Sequence, residues 1–285
     1  MTILVTGAAG NIGRWVVASL QAMGHPFTAA AHRPAQARTV LGGDVDVREL
    51  DLHRPETFPA ALEGVSSVFM VWPASLTHAA RDMGPLVAYM AQRGGIEQVV
   101  YSSVEHADTN PRLPHAQVER LVKEAGLPYT FLRPGYFSQN HETFFLKDIR
   151  DRNELGAPAG DGHVALLDTR DVGAVAAHML AHCEGVGEGY WLTGRDVLTH
   201  TQIADVFSDV LGRTITYTRP SALSYALRLL REWKAPADVM GISLAFAAIR
   251  RGESAHTNHT VEQILGRPPL GFRQYVEDYA SVWQH

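Results

Sequence analysis

Cysteine is almost missing from this chain. Cys183 is the single one among 285 residues, so no internal disulfide can form and an oxidising compartment is not called for. Concentrated positive charge is missing too. Lys and Arg number 25 against 30 Asp and Glu, a formal net charge of −5, which excludes a nucleic-acid footprint and a polybasic membrane patch. No apolar run approaches the roughly 18 residues of a membrane-crossing helix. A strand starts almost at the N-terminus and leaves no room for a signal peptide, so the expected location is cytoplasmic. The chain has 14 histidines, and His178 and His182 share a helix face, but no glutamate lies between them in an HExxH pattern. No metal site is expected.

What the chain does have is concentrated in its opening stretch. Ile3, Leu4 and Val5 form an apolar run suited to a strand buried on both faces of a parallel sheet. Gly7, Gly10 and Gly13 follow at GxxGxxG spacing, with Ala9, Asn11 and Ile12 between them. Trp15, Val16, Ala18, Leu20 and Met23 then mark one side of a helix. In this order, glycines permit a tight turn and close backbone approach to a pyrophosphate, and the helix N-terminus offers free N–H groups to it. The next strand, Pro26 to Ala31, ends at His32 and Arg33. No acid occupies the position that would bind a ribose 2′-hydroxyl, while Arg33 and Arg38 are suited to a 2′-phosphate. The expected cofactor is NADP(H).

Strand and helix signals then alternate as in a parallel sheet. Val45 to Leu52 is a strand with Asp51 and Leu52 at its tip, placed to flank the adenine. Pro55 to Leu62 is a short helix, and Val65 to Trp72 a strand closing on Val71, Trp72 and Pro73. Trp72 has two readings, a cover over the nucleotide or a packed aromatic. A helix over 77–93 precedes the strand Gln98 to Ser103, whose Ser102 and Ser103 end near the nicotinamide. The helix Pro114 to Glu124 leads to a strand ending at Arg133 and Pro134. Beyond Tyr136 the rhythm breaks: a helix follows Asp168 to Asp171, Tyr190 to Thr193 is a short strand, and Thr199 caps a helix stopped by Gly212. The stretch 221–251 is helical and apolar. In it Leu223, Leu227, Leu230, Trp233, Met240, Ile242 and Phe246 offer a surface for an apolar ligand or ordinary core.

These stretches together resemble the NmrA-like family of atypical short-chain dehydrogenase/reductases. The likeness runs from Val5 to Gly13 through His32–Arg33, Leu62 to Phe69, Val99 to Ser103 and His115 to Glu119. It continues through Gly126 to Phe137, Asp168 to Val172, Tyr190 to Gly194 and Leu265 to Pro269. It implies an α/β, Rossmann-type doubly wound parallel sheet over 1–150, with a smaller, mainly helical substrate-binding part over 151–285 that is partly continuous with the core. The family holds NADPH-dependent reductases of quinones and dyes alongside redox-sensing regulators without catalysis.

Typical short-chain reductases use a Tyr-x-x-x-Lys pair as proton donor. Here Tyr89, Tyr101, Tyr129, Tyr136 and Tyr217 are followed four residues on by Arg93, Glu105, Arg133, Asn140 and Ser221. The pair is absent, and the segment where related isoflavone-type reductases carry a catalytic lysine holds His115 to Glu119. Hydride delivery to a quinone or another conjugated apolar molecule fits this lack, since solvent or a modest donor can complete protonation. The candidate donors are Tyr136, His115 and Ser103. Each has a plainer reading: a packed aromatic, a structural pairing of His115 with Glu119, and a serine satisfying strand-end backbone groups. The alternatives are an NADP(H)-sensing regulator and a biosynthetic reductase or isomerase of an aromatic natural product. The expected partner is an apolar or aromatic small molecule, and a homodimer is left open.

Overall fold

The opening strand, Ile3–Thr6, is buried along its whole length, as its unbroken apolar run requires. A computed structural model describes residues 2–73, 76, 78–232 and 236–284, with only the backbone for 236–238. Trp233 and Thr77 of the expected elements lie outside the described residues. In chain order the strands are β1 Ile3–Thr6, β2 Phe27–Ala31, β3 Val47–Glu49, β4 Ser67–Val71, β5 Gln98–Ser102 and β6 Tyr129–Pro134. They continue as β7 Tyr136–Phe137, β8 Glu154–Leu155, β9 His163–Leu167, β10 Glu188–Leu192, β11 Asp196–Thr199 and β12 Thr216–Tyr217.

Seven of them form one sheet in the order β3-β2-β1-β4-β5-β6-β10, every neighbouring pair parallel. The order reverses direction between β1 and β4, the switch point at which doubly wound sheets bind ligands. This is a Rossmann-type α/β fold. The helix Gly13–Ala22 buries Val16, Val17 and Leu20. It packs so tightly on the helix Thr169–His182 that a Cβ on Gly173 would stand 2.4 Å from the Cβ of Trp15.

The chain divides into two compact units. One comprises residues up to Pro134 with Thr169–Leu192 and Thr260–Arg267; the other comprises Gly135–Asp168, Thr193–His259 and the residues from Pro268 on. The sequence divides the chain near 150 into a core and a C-terminal part that is partly continuous with it. Packing puts the first crossing at Pro134 and brings the chain back, because the helix Thr169–His182 and β10 complete the parallel sheet.

The first unit's core joins Leu4, Met70, Val99, Tyr101, Val118 and Phe131. The second has its own core, rich in rings: Phe145, Phe207, Tyr225, Phe246, Phe272 and Trp283. Its strands form a sheet ordered β11-β9-β7 and a ladder of β12 with β8. Thr199 caps the helix His200–Leu211 through a capping box with Gln202, and Gly212 ends it in the left-handed conformation. The apolar stretch after 221 forms the helices Ala222–Arg231 and Pro236–Arg250.

Candidate active site

The turn after β1 discriminates among its glycines. Gly7 has φ +58°, and a Cβ there would stand 2.5 Å from Val71 Cγ1. Gly13 is tighter: its Cβ would lie 2.2 Å from the carbonyl oxygen of Gly7. Both are required by the protein's own packing. Gly10 differs. Its N–H closes the turn on the Gly7 oxygen at 2.8 Å, and it is exposed beside exposed Asn11, with Ala9 and Ile12 half-buried. Ile12 stands at the helix N-cap position without a side-chain cap, and the first turn contains no acid. An exposed glycine backbone, where a Cβ would stand 3.1 Å from the Gly7 oxygen, followed by an uncapped helix start, fits a pyrophosphate.

At the end of β2, His32 and Arg33 are exposed. Arg33 is held out of the helical region (φ −132°, ψ 83°) by the following Pro34, which starts the helix Pro34–Leu41. No described carboxylate pairs with it. Arg38 is partly engaged, its Nη2 donating to the Val47 carbonyl at 3.0 Å. Past β3, Asp51 Oδ1 accepts the His53 N–H at 3.0 Å and so shapes the turn, while Leu52 packs on the core. At the end of β4 the Val71 N–H donates to Thr6 Oγ1 at 3.2 Å. Trp72 and Pro73 are half-buried, and the Trp72 ring meets His115 edge-on at 5.3 Å.

At the ends of β5 and β6 the side chains are tied together. Ser102, Ser103, Pro134 and Glu119 are buried. The Ser103 hydroxyl donates to Glu119 Oε1 at 2.6 Å. Arg133 grips the same carboxylate with Nε at 2.9 Å and Nη2 at 2.7 Å, and its Nη1 reaches Asp108 at 3.3 Å. Hydrogen bonding to Glu119 holds the guanidinium's pKa above its ordinary value.

The expected pairing of Glu119 with His115 is therefore replaced. A buried carboxylate needs a fixed charge and paired donors, and Arg133 supplies both. His115 instead has its Nδ1 2.8 Å from the Tyr101 hydroxyl. Burial draws His115 down to about 4, partly offset by Glu119. Burial, with Glu119 second, pushes the Tyr101 phenol well above its ordinary range. Tyr101 was not among the sequence candidates; its one signal is a tyrosine within a wholly buried strand, which must find a polar partner.

In the second unit, Tyr136 starts β7 with its ring 6.5 Å from Phe246 and 6.4 Å from His141. Its hydroxyl is buried, and burial raises its pKa. Of the apolar set, Phe246 is core, Ile242 packs against it, and Leu223, Leu227, Leu230 and Met240 are exposed. In the first unit, His182 Nδ1 lies 2.9 Å from the His178 carbonyl, and His178 Nε2 lies 3.4 Å from Glu184. No group of three or more potential metal ligands occurs among the described residues, and no described helix is long and apolar enough to cross a membrane.

The sequence profile of the NmrA-like family matches residues 1–264. The chain belongs to the NmrA-like family. Within it, the chain is 31% identical over 288 residues to an NAD(P)H azoreductase of Xenophilus azovorans, with 99% of each chain covered. To quinone oxidoreductase 2 of Escherichia coli it is 28% identical over 288 residues, covering 98% of this chain and 99% of the relative. Its fold matches that of the NADPH complex of the E. coli quinone oxidoreductase with a TM-score of 0.86 at 24% identity, over 98% of this chain and 100% of that one. The Citrobacter sp. triphenylmethane reductase complexed with NADP(H) matches with a TM-score of 0.83 at 21% identity, over 98% and 99%.

Proposed function

We propose that this NmrA-like chain is an NADPH-dependent oxidoreductase that reduces a quinone or another conjugated, mostly apolar small molecule. The observation that carries the reading is the exposed glycine cradle after β1 together with Arg33, unpaired with any described carboxylate, at the end of β2. Relatives that match over nearly their whole length are named as an azoreductase and a quinone oxidoreductase, and they support the same chemistry.

In this reading, Asn11 and Ile12 hold the pyrophosphate with backbone N–H groups, and Gly10, whose own N–H closes the turn on Gly7, lets it approach, aided by Gly7, Ala9 and Gly13. Arg33, flanked by His32 and Arg38, takes the 2′-phosphate, because a guanidinium makes paired bonds to phosphate oxygens. Asp51 and Leu52 border the adenine. Val71, Trp72 and Pro73 line the middle of the crevice, and Ser102, Ser103 and Pro134 lie toward the nicotinamide end. NADPH, when bound, supplies the hydride. The chain's own work is to orient the acceptor, exclude water and offer a hydrogen-bond donor to the charge that develops. Ser103 is poorly suited to protonate product, since its hydroxyl proton is directed at Glu119. Tyr136 is poorly suited as well, with a buried hydroxyl whose pKa burial raises.

The test is NADPH consumption with a panel of quinones and dyes, run beside calorimetric titration with NADPH and NADP. Turnover with an acceptor is expected. Tight binding without turnover on any acceptor would contradict the reading and favour a sensor.

A further inference from the structure

Tyr101 and His115 form a pair whose proton positions follow from their surroundings. The phenol oxygen and Nδ1 are 2.8 Å apart, and the phenol sits in the apolar core with Val118 and Phe131. Were Nδ1 the donor, the phenolic proton would have no other hydrogen-bond acceptor among the described residues. The phenol therefore donates, Nδ1 accepts, and the single proton of a neutral imidazole resides on Nε2. The ring orientation is fixed as well. His115 stacks on Tyr101 at 5.9 Å and 30°, and Trp72 meets it edge-on at 78°.

Nε2 makes no hydrogen bond to a described residue, and His115 is half-buried rather than sealed in the core. Its place in the sheet matters. Val71 abuts the turn at Gly7, Trp72 follows it directly, and His115 packs on Trp72. The three form a line from the glycine turn along the C-terminal edge of the sheet, the edge at which such folds bind ligands.

We propose that neutral His115 is a catalytic residue, its Nε2–H donating a hydrogen bond to the acceptor oxygen that gains negative charge as hydride arrives. Tyr101 is the positioning residue that keeps the proton on Nε2. This rests on the reductase reading above. In the balanced step the reduced nicotinamide is oxidised, giving up a hydrogen with two electrons. The acceptor is reduced, with one electron pair ending on its carbonyl oxygen, and water supplies the proton. His115 keeps its own proton. Giving it up would leave an imidazolate, or a phenolate on Tyr101 near Glu119. The substrate class is accordingly an acceptor with a polarisable carbonyl oxygen or an equivalent nitrogen, and the donor works as a fixed dipole rather than as an acid.

Two measurements test this together. In protein without cofactor, long-range nitrogen–proton NMR of labelled histidine should show His115 as the Nε2–H tautomer at neutral pH, and Tyr101→Phe should mix the tautomers. With a quinone that the wild type reduces, His115→Phe should lower kcat about 10²-fold with little change in KM for NADPH. His115→Gln, which retains an N–H, should recover part of the loss. Tyr101→Phe should lie between, and kcat should show no histidine ionisation between about pH 6 and 8. An Nδ1–H tautomer, an imidazolium at neutral pH, or unchanged kcat in folded His115→Phe would overturn the inference alone. A wild type that binds NADPH but reduces no acceptor would overturn the reductase reading and this inference with it.

Discussion

The guanidinium of Arg133 lies across the backbone of Gly189 in the neighbouring strand, where a Cβ would stand 2.5 Å from Nη1. Arg133 on β6 is paired in register with Trp191 on β10, and the bare backbone at Gly189 leaves the width that a flat guanidinium needs to turn toward Glu119. Gly189→Ala should disturb this pair although the site is at an exposed edge strand. A side chain there would push the arginine off its two bonds. Arg133→Met should destabilise the protein by about 3–5 kcal/mol, because it leaves the Glu119 carboxylate buried without its cation. The double variant Arg133→Met/Glu119→Leu should regain most of that in urea unfolding. Equal losses in single and double variants would mean that the ion pair is not the source.

The glycines after β1 should separate fold from binding. Gly13→Ala places a Cβ against the Gly7 carbonyl, which is backbone and cannot step aside, so low soluble yield or a large drop in melting temperature is expected. Gly10→Ala meets only that same oxygen at 3.1 Å, so the fold should survive while dinucleotide affinity falls. Differential scanning fluorimetry with and without NADPH reads both effects. A Gly10→Ala protein that keeps full affinity would remove the turn from the cofactor site.

Arg33→Ala should reduce the preference for NADPH over NADH by about 10- to 100-fold, the worth of one or two charge-assisted hydrogen bonds. Its effect on melting temperature should be small, since no described carboxylate pairs with it. Arg38→Ala should matter less for the cofactor and more for stability, because its guanidinium already holds the Val47 carbonyl. An unchanged NADPH/NADH ratio in Arg33→Ala would move the 2′-phosphate elsewhere.

Stability should fall as the solution becomes acidic, starting near pH 6.5. Burial lowers His141 to about 4, a shift that its bond to the Ser138 carbonyl partly opposes. Burial, followed by the neighbouring His141, lowers His200 to about 3, and His115 is drawn down to about 4. Neither ring nitrogen of His200 has a hydrogen-bond partner among the described residues. These pKa values are depressed in the folded state, so below about 6.5 the unfolded chain binds protons that the folded chain refuses. Each such histidine removes about 1.4 kcal/mol per pH unit until its folded pKa is reached. Unfolding midpoints at pH 7, 6 and 5 should fall steadily, and His200→Phe should lower the proton uptake on unfolding by about one. A flat profile across that window would contradict the neutral, buried assignment.

Local signals were legible in the sequence wherever the cause was local. The helix Pro114–Glu124 begins at its proline, and the Thr199–Gln202 capping box needs four consecutive residues. The β1 turn announces itself by three glycines within seven positions. Partners brought together by the sheet were less legible. Glu119 and His115 are one helical turn apart and suggested each other, yet β6 presents Arg133 to the first and β5 presents Tyr101 to the second. The strand near Tyr190 was visible, but its pairing with β6 was less so, since Glu188–Leu192 is a short, partly exposed edge strand without the apolar run of β1 or β5. Tyr136 shows the same limit. Its position after β6 was visible, but part of the aromatic core beside it, Phe246, comes from a helix more than a hundred residues later.

The most direct test is an anaerobic single turnover. Protein saturated with NADPH is mixed with an excess of a simple quinone while absorbance at the nicotinamide and quinol bands is followed. The account predicts that bound NADPH is consumed in one phase, with one quinol formed per NADPH lost, and that His115→Phe slows this phase without changing its amplitude. NADPH that stays bound and reduced through many seconds of contact with every acceptor tried would contradict it.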